Sequence, residues 1–236
     1  LMQMAAAGAA IPALAETYDI SEDGKTYTFH LRDAKWSNGD AVTAADFVFG
    51  WHRAVDPATA SEYSYMLSDI GQIVNAAEII AGEKPVTDLG VSAVDDKTLE
   101  VQLNVPVSYF LSLMYFPTFY PVNEAFYNSC ADTFGTSPDT VLSNGAFKLT
   151  DYQPAATAFT LEKNPDYYDA DKIALDSLAY QVIKDSQQAL MSYQTGALDM
   201  TLLNGEQVDQ VKDDPEFTSV GAGYLWYLSP NMAGVP

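Results

Sequence analysis

The stretch Thr26-Tyr27-Thr28-Phe29-His30-Leu31-Arg32 contains the clearest secondary-structure pattern in this chain of 236 residues. Its apolar side chains Tyr27, Phe29 and Leu31 are spaced two residues apart, and polar side chains lie between them. Successive side chains of a strand point to opposite faces, so this spacing predicts a half-buried β-strand. His30 falls on the polar face, where we expect a surface or cross-strand residue and not a ligand.

Turn and helix signals surround this strand. Asp23-Gly24 and Asn38-Gly39 supply residues that tolerate positive φ, so both ends of the strand are predicted to be turns. Thr43 can cap a following helix, and Asp56-Pro57 ends it because the residue before proline avoids the helical region. The helix carries an apolar stripe at helical spacing that predicts core packing, formed by Phe47, Val48, Trp51 and Val55.

Further elements follow along the chain. A short helix is predicted at 75–81, a strand at 99–103, and a buried helix at 107–119 whose aromatic end could line a cavity. After about Ser143 the pattern changes to strand–helix–strand alternation, which suggests an α/β sheet with covering helices. Its predicted strands are 146–149, 159–163, 198–201 and 224–228. One predicted helix is capped by Ser186 and stopped by Gly196, and another spans 206–212.

Composition narrows the class of protein. Hydrophobic residues make up 48% of the chain, which is typical of a folded globular protein, and no run approaches the roughly 20 apolar residues of a membrane-spanning helix. The net charge is −21, so nucleic-acid binding is not expected, because that affinity rests on lysine and arginine. The apolar opening, 1–11, lacks basic residues, and we interpret it as structure and not as a signal peptide.

A search for catalytic and metal-binding motifs finds none. The two histidines, His30 and His52, are too far apart for a metal-binding pair, and Cys130 is alone, so no disulfide framework is expected. Nucleophile-elbow and phosphate-loop motifs are also absent from the sequence. We therefore predict a binding protein without catalytic residues, metal or cofactor. A hydrolase that uses scattered carboxylates and a structural interaction module remain as alternatives.

Several ordered stretches resemble one known family. The segments 12–32, 35–39 and 42–47 are similar to the signature region of family 5 extracellular solute-binding proteins, the receptors of ABC importers. The segments 56–61, 79–85, 88–101, 144–149, 161–168 and 196–201 are similar to its oligopeptide-binding members. The resemblance covers about residues 8–231.

The resemblance implies a mixed α/β (α+β) fold that is a fragment of a two-lobed periplasmic-binding-protein fold of the peptide/nickel-binding type. Residues 11–143 would form a side domain, and 144–236 part of the first lobe, with 1–10 a candidate addition to it. The second lobe would be absent. The expected function is capture of short peptides outside the cytoplasmic membrane and their delivery to a permease, by a monomer that is periplasmic or lipid-anchored at the cell surface. A nickel complex, a dipeptide, haem or an oligosaccharide is the alternative solute.

The resemblance also implies candidate ligand contacts. Tyr63 matches a tyrosine near the ligand backbone, and Phe116 stands where a relative has a pocket-lining histidine, which implies an apolar pocket wall. Tyr224, Trp226 and Tyr227 lie in the aromatic strand that leads to the hinge. Ordinary core packing is the alternative role for each of them.

Overall fold

The computed structural model describes residues 1–5 and 8–221. They fall into two compact units, one of residues 1–181 and one that begins at Val182. The strands are β1 (Met2–Met4), β2 (Ala10–Pro12), β3 (Ala15–Ile20), β4 (Thr26–Leu31), β5 (Val91–Asp95), β6 (Thr98–Gln102), β7 (Phe147–Asp151), β8 (Ala158–Lys163) and β9 (Ser177–Gln181). The α-helices are α1 (Ala44–Val55), α2 (Ala76–Ile80), α3 (Phe110–Leu113), α4 (Glu124–Cys130), α5 (Ser186–Gln194) and α6 (Gly205–Val211).

The core of the first unit lies between a four-stranded antiparallel sheet, in the order β3-β4-β6-β5, and helix α1. Tyr27, Phe29 and Leu31 of β4 are all buried, while the residues between them are half-exposed, which confirms the predicted strand. His30 Nε2 lies 2.9 Å from Asp19 Oδ2 on the neighbouring strand β3, so His30 is the cross-strand residue that the sequence predicts.

Helix α1 begins and ends where the sequence predicts. Asp46 accepts a hydrogen bond from the Thr43 backbone N–H at 2.8 Å and one from Trp36 Nε1 at 3.1 Å. These bonds attach the turn before the helix to its first residues. Trp51, on the same helix, is fully buried and donates through Nε1 to the Phe119 carbonyl at 3.1 Å. The apolar stripe of α1 is therefore core, as predicted.

Asp46 is expected to make stability depend on pH. Burial raises the pKa of this carboxyl above its ordinary value of 3.8, although its hydrogen bonds act in the opposite direction. The folded state therefore holds the proton more tightly than the unfolded state does. The resulting stabilisation is complete below the ordinary pKa and is lost as pH rises through the raised pKa.

The test compares the protein with its Asp46→Asn variant, which cannot titrate at this position. From about pH 7 to about pH 4, the free energy of unfolding in urea should rise for the original chain relative to the variant. A constant difference between the two proteins across this range would contradict the role of Asp46.

The predicted long helix at 107–119 is wrong. Only α3 is α-helical there, and a single 3₁₀ turn follows at Pro117–Phe119. Proline lacks an N–H and disfavours the helical region for the residue before it, and Phe116 is accordingly extended, with φ −79° and ψ 138°. The break leaves Phe116 half-buried, whereas Phe110, Met114 and Phe119 are fully buried.

The later strands also differ from the prediction. The strands predicted at 146–149 and 159–163 are confirmed as β7 and β8, but they pair with the unpredicted β9 in an antiparallel sheet, without a helix between them. The expected strand–helix–strand alternation is therefore wrong for this sheet, although the mixed fold class is confirmed. The strand predicted at 198–201 is not formed, because these residues have no ladder partner within the described part of the chain.

The second unit contains α5 and α6. The N-cap of α5 is Asp185, whose carboxylate accepts from Gln188 N–H at 2.7 Å, and not Ser186 as predicted. Gly196 has φ 76° just beyond the helix and confirms the predicted stop. The predicted boundary near Ser143 between side domain and lobe stays a prediction. None of the helices among residues 1–5 and 8–221 is long and apolar enough to cross a membrane.

Candidate ligand-contacting surface

Tyr63 lies on the surface of the first unit, in a turn after α1. Its side chain is 49% exposed. The turn is held by hydrogen bonds from Ser64 N–H to the Ser61 carbonyl, at 3.2 Å, and from Met66 N–H to the Tyr63 carbonyl, at 3.0 Å. Ala60 begins the turn with φ 51°, a left-handed conformation that costs free energy for a residue with a Cβ. The backbone around Tyr63 is therefore tightly constrained.

A π-helical turn, Met66–Ile70, begins three residues after Tyr63. Leu67 in this turn is fully buried and anchors it to the core. Gly71 closes the turn, because its N–H donates to the Met66 carbonyl at 2.9 Å. A Cβ at position 71 would lie only 2.8 Å from the same oxygen, so the turn leaves no room for a side chain there. Isolated π-helical turns are found frequently at functional sites.

Phe116 packs against Tyr63. Their ring centroids are 5.4 Å apart with an angle of 52° between the rings, and Tyr65 also stacks on Tyr63, at 6.0 Å. We call Tyr63, Tyr65 and Phe116 the aromatic patch. The structure thus brings together two of the residues that the sequence singles out, although 53 positions separate them (116 minus 63).

Two more exposed tyrosines are held near the backbone of the patch. The Tyr109 hydroxyl donates to the carbonyl of Ile70, at the end of the π-helical turn, at 3.3 Å. The Tyr120 hydroxyl donates to the carbonyl of Tyr115, next to Phe116, at 3.0 Å. Both rings are about half exposed. The sequence analysis does not select Tyr65, Tyr109 or Tyr120 as site residues. The signal that could have found them is the number of tyrosines close in sequence to Tyr63 and Phe116.

The aromatic patch suits contact with a ligand. Exposed rings offer a large apolar surface with little conformational entropy to lose on binding. The exposed charged side chains next to it in the sequence are the acids Glu62 and Asp69, so the patch also suits a ligand with a positively charged group.

The residues that catalysis would need lie elsewhere. His52 is half-buried in α1, and burial lowers the pKa of its imidazole. Cys130 ends α4, and its thiol donates to the Phe126 carbonyl at 3.3 Å. Across residues 1–5 and 8–221, no three histidine, cysteine or acidic side chains come close enough to hold a metal ion. The predicted contacts Tyr224, Trp226 and Tyr227 lie outside the described residues.

Comparison with known proteins identifies the family. The family model described as "Bacterial extracellular solute-binding proteins, family 5 Middle" matches residues 9–236. The chain belongs to this family. Its members are solute-binding proteins, and the family resemblance that the sequence predicts is confirmed.

Individual relatives agree with this assignment. The periplasmic oligopeptide-binding protein OppA of Escherichia coli is 42% identical over 80% of this chain and 34% of its own length. The probable deoxycholate-binding periplasmic protein YgiS of the same organism is 39% identical over 90% of this chain and 39% of its own length. The structure of Listeria monocytogenes OppA bound to peptide superposes with a TM-score of 0.85 at 42% identity, covering 91% of this chain and 42% of that one. The chain thus spans less than half the length of these proteins.

Proposed function

We propose that this chain is part of the substrate-binding component of an ABC importer that captures short peptides outside the cytoplasmic membrane and delivers them to the permease. The observation that carries the proposal is its family membership together with the peptide-bound relative, at a TM-score of 0.85 and 42% identity. The residues around Tyr63 agree with it, because they present Tyr63 and Tyr65 at the surface in contact with the half-buried Phe116.

A receptor for varied peptides must recognise what peptides share. Main-chain hydrogen bonds to strand edges supply affinity without dependence on sequence, and wet side-chain pockets tolerate many residues. Closure of two lobes about a hinge buries the ligand and gives a form that a permease can distinguish. We propose that 11–143 form the side domain, that 144–236 belong to the first lobe, and that a second lobe completes the cleft.

Within this scheme the aromatic patch forms one wall of a side-chain pocket. Tyr63 contacts the peptide directly, and Phe116 gives the wall an apolar surface, whereas a hydrogen-bonding residue at this position would favour polar ligands. Tyr224, Trp226 and Tyr227 are proposed as further contacts near the hinge. The complete receptor is a monomer without enzymatic activity. It binds no nucleic acid, because a chain with 32 acidic and 11 basic residues repels phosphates.

A second candidate ligand has specific support. One relative is named as a probable deoxycholate-binding protein, and an exposed patch of aromatic rings also suits the apolar face of a fused-ring steroid. Nickel complexes, dipeptides, haem and oligosaccharides are further alternatives on the same scaffold.

Calorimetry on the full-length receptor tests the proposal. Titration with a mixture of short peptides should release or absorb heat, and titration with single peptides from the mixture should then give a dissociation constant for each. Deoxycholate, a nickel chelate and an oligosaccharide serve as comparison ligands. Heat with one of these and none with any peptide would reject the peptide assignment.

A further inference from the structure

The aromatic patch is built from two stretches of the chain that hold acidic side chains and no basic ones. Residues 54–83, which include Tyr63 and Tyr65, contain five acidic residues. Residues 98–147, which include Phe116, contain four. All 11 lysines and arginines of the chain, and both histidines, lie outside these two stretches. The part of the sequence that forms the patch is therefore negatively charged, with no basic residue of its own to offset the charge.

Two exposed carboxylates belong to the same local structure as the rings. Glu62 directly precedes Tyr63 in its turn, and Asp69 lies in the π-helical turn that follows. Neither carboxylate is within ion-pair distance of a basic side chain in the part of the chain that the structure describes. Exposed charges act on one another over roughly 10 Å at 0.1 M salt. A cation that approaches the patch is therefore attracted, and an anion is repelled.

The rings themselves add a second attraction for cations. The face of an aromatic ring is negative, so a lysine or arginine side chain placed over it is stabilised. The chain uses this contact elsewhere, where the Arg53 guanidinium lies 3.8 Å from the ring centroid of Tyr127. Among residues 1–5 and 8–221, no lysine or arginine is stacked in this way on a ring of the patch. Tyr63 and Tyr65 are 49% and 43% exposed, so their rings are accessible to a cation from a ligand.

We infer that the aromatic patch is a subsite for a basic side chain, lysine or arginine, of the bound peptide. The inference rests on the proposed function, because it requires that the patch contacts a peptide. The aliphatic stem of such a side chain packs on the apolar surface of the rings, and its charged end is attracted to Glu62 and Asp69. The same charges disfavour an acidic side chain at this subsite, and they disfavour deoxycholate, which carries a carboxylate.

Calorimetry on the full-length receptor tests the subsite with matched peptides. The peptides share one sequence except at a single position, which holds lysine, glutamine or glutamate, and this position is moved along the peptide in turn. At one position, lysine should bind about 10-fold more tightly than glutamate at about 0.02 M salt, with glutamine between them. The ratio should fall when the salt is raised to about 0.5 M, because salt screens exposed charges.

Two variants assign this preference to the patch. Tyr63→Leu keeps an apolar side chain but removes the ring face, and a Glu62→Gln, Asp69→Asn double variant removes the two carboxylates. Each should reduce the ratio of lysine to glutamate affinity to about threefold or less. Asp171→Asn is the matched control, because it removes an exposed carboxylate outside both stretches, and its ratio should equal that of the original receptor.

The contrary outcomes separate this inference from the proposed function. Equal affinities for lysine and glutamate peptides at every position would reject the basic subsite while leaving peptide capture intact. A lysine preference that persists unchanged in both variants would assign recognition of the basic side chain to another part of the receptor, and it would also reject the inference. Absence of binding by any peptide would reject the proposed function and the subsite together.

Discussion

Replacing Trp51 by alanine is expected to lower the free energy of unfolding by about 3–5 kcal/mol. The indole is fully buried in α1 and meets Phe119 edge to face, with ring centroids 5.3 Å apart. Its removal leaves a cavity that the neighbouring helix and sheet cannot fill without moving. It also deprives the buried Phe119 carbonyl of the donor at 3.1 Å, which adds a desolvation cost.

Urea unfolding of the 236-residue chain, followed by circular dichroism, measures this loss. Trp51→Phe keeps an aromatic ring but not the N–H, so its loss should be clearly smaller. Val94→Ala alters an exposed side chain, 62% accessible, and should change stability by no more than about 0.5 kcal/mol. A loss below about 1 kcal/mol for Trp51→Ala would show that α1 is not the central packing element of the unit.

Replacing Tyr63 by alanine in the full-length receptor is expected to weaken peptide binding about 10–100-fold, the range of a buried aromatic contact at an interface. Tyr63 is 49% exposed before binding, so about half of its surface is available to a ligand. The dissociation constant of Tyr63→Phe should stay within about threefold of the original value, because the variant keeps the aromatic ring that makes the contact and loses only the hydroxyl.

Calorimetry against one tightly bound peptide measures both variants. Tyr180→Ala is the matched control, since Tyr180 is also a partly exposed tyrosine, 43% accessible, on β9 and in stacking contact with Phe159. Its affinity should match that of the original protein. If Tyr63→Ala binds the peptide equally well, the aromatic patch is not a contact surface, although the receptor still binds peptides.

The sequence predicts well those elements whose signals are local. Strand β4 has a strict two-residue period with turn residues beyond each end, and helix α1 has a cap, a stripe and a terminating proline. In both cases the local preference and the tertiary environment agree, so periodicity is enough. The resemblance to family 5 adds the position of Tyr63 and Phe116, which periodicity alone does not distinguish from core residues.

The missed features depend on contacts between distant residues. Continuous apolar sequence at 107–119 resembles one helix, but Pro117 and the packing of Phe110, Met114 and Phe119 divide it into short turns. β9 lacks a clear apolar period and is held by its ladder with β8. The contact between Tyr63 and Phe116 is a tertiary contact, because these residues are distant in sequence and meet only in the folded chain.

The π-helical turn Met66–Ile70 places one more residue in its turn than an α-helix would. Each residue of a regular helix rotates the next by about 100°, so loss of one residue there would turn the preceding rings away from Phe116. The fully buried Leu67 fixes which side of the turn faces the core. A single-codon insertion or deletion at this turn is therefore a simple evolutionary route to a different binding surface on an unchanged scaffold.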